Sequence, residues 1–252
     1  MATTLLPKEL DTKKITFSDV FQSKDGKMSS VRMNYIHDSE NEPEKLIIQS
    51  AKMKAPFGLS NGEKFGTPNK WDIQLSFQGE ERSKRIQRFR HCIEYIDECI
   101  LDKAFSCSED WMDDEYSSEM LKMFYKSPIK KSKKKDKKYA DTFKVTVPWN
   151  ADAGEVRNDV LFYDEKGEEM SWKEVTPGCE VVALFEINGL WCSPGIKQFG
   201  PSVKLQQLQV FKPKRIRGFQ IKCDLSDDED DEDDEDNTSI AIEEEVVSDP
   251  ED

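Results

Sequence analysis

The sequence predicts a mainly β domain: an antiparallel β-barrel interrupted by one helical insertion and followed by a disordered acidic tail. Three observations predict it. Segments with two-residue alternation, the period of half-buried strands, lie on both sides of a single stretch with helical period. That helical stretch occurs once, whereas a parallel α/β fold would alternate helices with strands throughout. Residues 224–252 hold seventeen Asp and Glu and no Lys or Arg. A block of like charge this dense stays solvated and does not pack.

Removing those seventeen from the 51 acids of the chain leaves 34 against 37 Lys and Arg, so the formal net charge of −14 belongs to the tail. About 220 residues remain, enough for one large domain with a real core. The expected organisation is a barrel domain over residues 1–222, with a helical insertion at about 80–125 and a Lys-rich loop at 126–138, then a tail over 223–252.

Strands are expected at Lys14–Phe17, Val31–Ile36, Leu46–Ile48 and Trp71–Phe77, each of which fits a half-buried β pattern. Between the last two, Lys52–Lys70 contains Gly58, Gly62, Gly66, Pro56 and Pro68, which mark a long loop. From Glu80 to Phe105 the period changes. Ile86, Phe89, Ile93, Ile96, Ile100 and Leu101 recur at three- and four-residue steps and form one apolar helix face. Cys92 and Cys99 fall on this helix and are expected to face its core. A second helix is expected from Ser108 or Asp110 to Tyr125, with acids at its start that suit the helix dipole, and Pro128 ends it.

Lys126–Lys138 carries eight lysines and one Asp, and like-charge repulsion predicts a mobile loop. Strands resume at Phe143–Val147, Val160–Tyr163 and Glu180–Ile187. Asn188-Gly189 reads as a hairpin turn, with Leu190–Cys192 returning. Val203–Phe211 is the last strand. Strands, a helical connection and more strands fit an OB-like barrel, although the pattern alone does not separate it from other small barrels.

Six cysteines without an export signal or a Cys-x-x-Cys pair read as reduced thiols in an intracellular compartment, and no stretch approaches a membrane span. Catalytic motifs are missing: Gly58–Lys64 is interrupted by Glu63 and lacks the Gly-Lys-Ser/Thr of a phosphate loop, and no nucleophile elbow or zinc-protease motif occurs. Asp110, Asp113, Asp114 and Glu115 are more simply helix-dipole partners. The sequence therefore points to neither an enzyme nor a cofactor or metal site.

Residues 187–222 contain no acid, yet carry Lys197, Lys204, Lys212, Lys214, Arg215, Arg217 and Lys222 among Trp191, Phe199, Phe211 and Phe219. Cations beside flat rings suit a single nucleic-acid strand, whose phosphates they neutralise and whose bases they stack. Trp191 and the strand residues are as readily core. Lys197 and Phe199, in the loop-like Ser193–Pro201, are the better candidates. The early loop repeats the formula with Lys52, Lys54, Phe57, Lys64, Phe65 and Lys70, where Phe57 fits equally well as a plug for one end of the barrel. The Lys126–Lys138 block is the least specific: it suits phosphate, nuclear import or plain solvation.

The Phe57–Gly66 loop leading to Trp71–Phe77, the segment Glu186–Gly195 with its following strand, and the acidic end together resemble the phage-type single-stranded DNA-binding proteins. The resemblance is closest to their relatives in large eukaryotic DNA viruses such as phycodnaviruses and mimiviruses. It implies an OB-fold protein that coats single-stranded DNA in replication and recombination, in the host nucleus or a cytoplasmic virus factory. The acidic run Asp227, Asp228, Glu229, Asp230, Asp231, Glu232, Asp233, Asp234, Glu235 and Asp236 would compete with DNA for the groove and recruit replication proteins. Members with such tails often end on an aromatic residue, whereas this chain ends Ser248–Asp252, so Ile240, Ile242, Val246 and Val247 are the alternative apolar anchor. Monomer and homodimer stay open. The rival functions are an acidic-tailed chaperone or scaffold for basic proteins, and a structural virion protein.

Overall fold

The computed structural model describes residues 3–37, 42–62, 67–132 and 139–213, and the side chains of 67 and 68 are not described. In the first half, the strands are β1 (Thr4–Leu5), β2 (Ile15–Gln22), β3 (Ser29–Tyr35), β4 (Glu44–Gln49), β5 (Met53–Ala55), β6 (Leu59–Gly62) and β7 (Thr67–Ser76). Three helices follow, α1 (Lys84–Ser106), α2 (Ser108–Met112) and α3 (Ser118–Phe124). The second half contributes β8 (Ile129–Lys130), β9 (Thr142–Val147), β10 (Trp149–Asn150), β11 (Glu155–Val156), β12 (Leu161–Tyr163), β13 (Cys179–Ser193) and β14 (Gln198–Phe211).

Five strands close on one another. Following the pairings, β13 joins β5, β5 joins β7, β7 joins β9, β9 joins β14, and β14 returns to β13. Every step is antiparallel except β9–β14, which is parallel. Numbered along the chain, this ring has the order 1-2-3-5-4-1, the connectivity of an OB-type Greek-key barrel. Closure removes the unpaired sheet edges that would invite association. The chain's alternation supplies the core: Ile73, Leu75, Phe143, Val145, Val181, Ala183, Phe185, Val203 and Leu205 all point inward and are buried.

Helix α1 plugs the base of the barrel. Ser83 caps it by accepting from the Ile86 N–H, and its buried stripe Ile86, Phe89, Cys92, Ile93, Ile96, Ile100 and Ala104 follows the expected helical period. Phe89 sits at the junction, within 5.1 Å of the Phe143 ring and 6.0 Å of the Phe185 ring. The other barrel end is filled by tryptophans: Trp71 stacks on Trp149 at 4.5 Å, and both meet Trp172 edge-on. Beyond the barrel β13 continues as the partner of β3, and β2, β3 and β4 extend the sheet. The helices pack under the inner face of this extension, as the Phe17–Trp111 ring contact at 5.8 Å shows, and its outer face carries the exposed Phe21, Ser30 and Arg32.

Five local expectations change. Lys52–Lys70 is not one loop, because β5 and β6 pair with β7 around a bend at Gly58. Gly58 has φ +61°, and a Cβ there would lie 2.9 Å from the Pro177 nitrogen. Asn188-Gly189 is a bulge within the single strand β13, not a turn. At Gly189 (φ +150°) a Cβ would meet the Val31 carbonyl oxygen at 2.2 Å, so the glycine serves close strand approach. The turn comes later, at Pro194–Lys197, and the second part of Ser193–Pro201, from Gln198 on, is strand β14. The second helix is broken at Asp113, whose φ of +61° caps α2 before Ser117 starts α3. In the Lys-rich stretch, Ile129–Lys130 is a strand on β9, and residues 133–138 lie outside the described residues.

Compact packing extends over residues 1–213. The expected domain boundary at 222 and the tail over 223–252 fall outside the described residues.

Candidate nucleic-acid interface

Residues directly opposite in a ladder share a face, so the pairing register draws the outer surface of the sheet. One row runs Phe21, Ser30, Trp191, Gly200 across β2, β3, β13 and β14. Next to it runs Arg32, Gly189, Ser202. A third runs Ile47, Glu186, Lys204, Thr146, Asp72 across β4, β13, β14, β9 and β7. A fourth runs Lys54, Ser76, Thr142, Lys130 across β5, β7, β9 and β8. Lys144, opposite Gln74, lies between the third and the fourth.

The cations of this face are held in place. Lys144 Nζ is 2.9 Å from Asp72 and Lys45 Nζ is 3.3 Å from Glu186, which also accepts from Gln206 at 2.8 Å. The Asn188 amide, in the orientation that satisfies its neighbours, donates to Ser202 Oγ at 3.1 Å and accepts from Lys204 Nζ at 3.0 Å. Arg32 lies 5.2 Å over the Phe21 ring, which is 48% exposed. Among the described residues, Asp72 and Glu186 are the acids paired with Lys144 and Lys45 on this face, and the Asp97 charge acts on Lys130.

Glycine creates the closest approach in this surface. Gly200 pairs with Trp191, and a Cβ on it would sit 2.6 Å from the Lys126 carbonyl oxygen. Without a side chain there, the Lys126 backbone lies directly against β14 and its N–H donates to the Phe199 carbonyl at 2.8 Å. The partly exposed Trp191 and Lys126 are therefore both neighbours of Gly200. Lys130 stands on the same outer face as Lys144. Partial burial, then the nearby Lys144 and Lys126 charges, pull its ammonium below the ordinary lysine value.

Of the residues singled out from sequence, this face gathers Lys54, Trp191 and Lys204, while Lys70 is exposed where the pairing of β7 with β6 is irregular. Lys197 is exposed at the β13–β14 hairpin tip, 5.5 Å over the Tyr116 ring. Phe57 is 56% exposed, beside a groove of about 1030 Å³ shared with Tyr139, His91 and Arg90. Glu80, Glu81 and Asp141 also line that groove, so it is a poor seat for phosphate. Lys52 is spoken for by Glu180 at 2.9 Å and by the Phe211 ring, and Lys212 by Glu174 at 2.7 Å.

Phe199 is a correction. It is wholly buried against Tyr125, ring centroids 5.3 Å apart, because the part of that stretch from Gln198 on is strand β14, whose inward side it occupies. Lys64, Phe65, Lys214, Arg215, Arg217 and the run Asp227–Asp236 lie outside the described residues. Sequence reasoning missed Phe21, Arg32, Lys45 and Lys144. Each is an outward residue of a half-buried strand, and alternation could have marked it as exposed but not as part of a shared face. Among the described residues, no group of three or more His, Cys, Asp or Glu could hold a metal ion.

Three comparisons with known proteins were made. A search of curated proteins found no match. Among solved structures, the chain is similar to gp2.5, a single-stranded DNA-binding protein encoded by bacteriophage T7, with 16% identity, a TM-score of 0.40, and coverage of 70% of this chain and 97% of that one. It is similar to the single-stranded DNA-binding protein of bacteriophage Enc34 in complex with single-stranded DNA, at 16% identity and a TM-score of 0.41, covering 68% and 89%. The Enc34 protein without DNA gives 14% identity and a TM-score of 0.40, covering 80% and 94%. The remaining match takes in residues 79–222, from the start of the helical insertion through the last strand and more than half of the chain, and by it the protein belongs to the family described as Family of unknown function (DUF5871).

Proposed function

We propose that this chain binds single-stranded DNA without sequence preference, across the outer face of its barrel. The observation that carries the reading is the row of cations, Arg32, Lys126, Lys130, Lys144 and Lys204, beside the half-exposed ring of Trp191 on one continuous sheet surface. Lysines and arginines spaced along a face track a flexible phosphate chain, and an aromatic face accepts any base. OB barrels bind oligonucleotides on the corresponding strands, the second and third of the ring, here β7 and β9. Lys144 is paired with the side chain of Asp72 and Lys204 with that of Asn188, contacts on an open sheet face that hold cations without reading base identity. The protein acts by binding, with no chemical step.

Each neutralised phosphate contributes about −0.7 to the slope of log affinity against log salt for single strands, so three to five contacts predict a slope of roughly −2 to −3.5. Titration of a dT oligonucleotide at several salt concentrations measures it, and a flat response would overturn the reading. Trp191→Phe should abolish most tryptophan quenching on binding. Trp111 is buried, and Trp71, Trp149 and Trp172 are engaged with one another.

The finer role follows from this activity. A sequence-independent coat for single strands serves DNA replication and recombination. The anionic C-terminal segment would compete with DNA for the cationic face and recruit replication proteins when released.

A further inference from the structure

Asp97 is an acid placed where burial works against it. It sits on helix α1, and both of its oxygens are used by the segment that leaves α3. Tyr125 OH donates to Oδ1 at 2.6 Å and Ser127 Oγ donates to Oδ2 at 2.6 Å. Ser127 Oγ in turn accepts from the Ile129 N–H at 3.0 Å, and Lys130 Nζ donates to the Ser127 carbonyl at 2.7 Å. The same short segment is tied to two strands: the Lys126 N–H donates to Phe199 on β14, and the Lys144 N–H of β9 donates to Pro128. One carboxylate thus fixes the root of a stretch that would otherwise repel itself.

We propose that Asp97 is the positioning residue of a phosphate seat: by gripping Tyr125 and Ser127 it makes Lys126 and Lys130 stand beside Lys144, where one phosphodiester of the bound strand is held. The inference rests on the single-stranded DNA reading above and names the part of the face that takes the phosphate. Lys130 pairs on β9 opposite Thr142, two residues from Lys144; the Lys144 and Lys126 charges both act on its ammonium against the attraction of Asp97, while Asp72 pairs with Lys144. A phosphate supplies the charge that is missing.

The seat is linked to protons. Burial, against the two hydrogen bonds, pushes the Asp97 carboxyl up to about 6. The groups facing it are Glu94 on its own helix and Tyr125, Ser127 and Lys130 across from it. An incoming phosphate adds negative charge beside Asp97 and raises its proton affinity further, so proton and phosphate favour one another reciprocally.

The test compares wild type, Asp97→Asn and Asp97→Leu in dT-oligonucleotide titrations across salt and pH, with melting curves of each variant. Wild type should tighten as pH falls from about 7.5 to about 5.5, by up to about tenfold for each pK unit the phosphate adds. The Asn variant keeps hydrogen-bonding groups at the same place and both histidines, and should lose this pH dependence while keeping the wild-type salt slope. The Leu variant releases the segment and should lower the magnitude of the slope by about 0.7, one phosphate. Tyr125→Phe combined with Ser127→Ala should reproduce the Leu result if the Leu variant melts early. Wild-type slope in a folded Leu variant, or wild-type pH dependence in the Asn variant, overturns the proposal. Failure of wild type to bind DNA at all instead overturns the reading on which it rests.

Discussion

At the scale of single residues, the chain places its costs where strands and helices meet most closely. Gly189 is the sharpest case. Its positive φ and the 2.2 Å separation between a Cβ and the Val31 carbonyl leave no room for any other residue. Gly189→Ala should therefore force β13 and β3 apart and lower the denaturation midpoint strongly, whereas Gly26→Ala, with nothing within 4 Å, should show only the mild strain of its left-handed φ. Asp97 gives a pH signature. Its carboxyl rises from 3.8 to about 6 in the folded protein, so the folded state binds its proton more tightly than the unfolded chain does. The contribution is fully present below pH 3.8 and lost as pH rises through about 6, which leaves a cost on the order of 2–3 kcal/mol above that range. Asp97→Asn should accordingly raise the melting temperature at pH 8 and have little effect near pH 4. Equal effects at both pH values would contradict the assigned burial.

At the scale of elements, α1 and β13 organise the rest. The apolar stripe of α1 was legible because a 3.6-residue period needs only neighbours in sequence, and Phe77, Phe89, Phe143 and Phe185 meet where it plugs the barrel. Phe89→Ala should cost about 3–5 kcal/mol in denaturant unfolding, the usual range for emptying such a site. A loss below about 1 kcal/mol would mean that the helix is not the plug. β13 was misread at Asn188-Gly189. The dipeptide favours a tight hairpin locally, but continued pairing with both β3 and β14 outweighs that preference and carries the strand on to Ser193. The Lys52–Lys70 stretch was misread for a similar reason. Glycine and proline do mark a bend there, but strand β7 lies alongside and satisfies the backbone of β5 and β6 through the ladder.

At the scale of the whole molecule, charge is segregated along the chain: 37 bases against 34 acids before residue 223, then seventeen acids without a base. The proposed competition between the C-terminal segment and DNA makes a clear expectation. Deleting residues 224–252 should tighten binding of a dT oligonucleotide, most at low salt, where an anionic competitor is least screened. Unchanged or weaker affinity after truncation would remove that role and leave the barrel's own activity untouched.

By itself the sequence determined the class of fold, the single long helix, the strand segments and the separation of charge, because each is written in short-range periodicity or in composition. It also showed which stretches carry cations beside rings. Only the tertiary structure decided which of them share a surface. Register put Lys54, Lys144, Lys204 and Trp191 on one outer face, turned Phe199 into the core, and brought Lys126 to β14 across the space that Gly200 leaves open. Those outcomes depend on which strand lies beside which, and a one-residue slip in pairing would reverse every one of them.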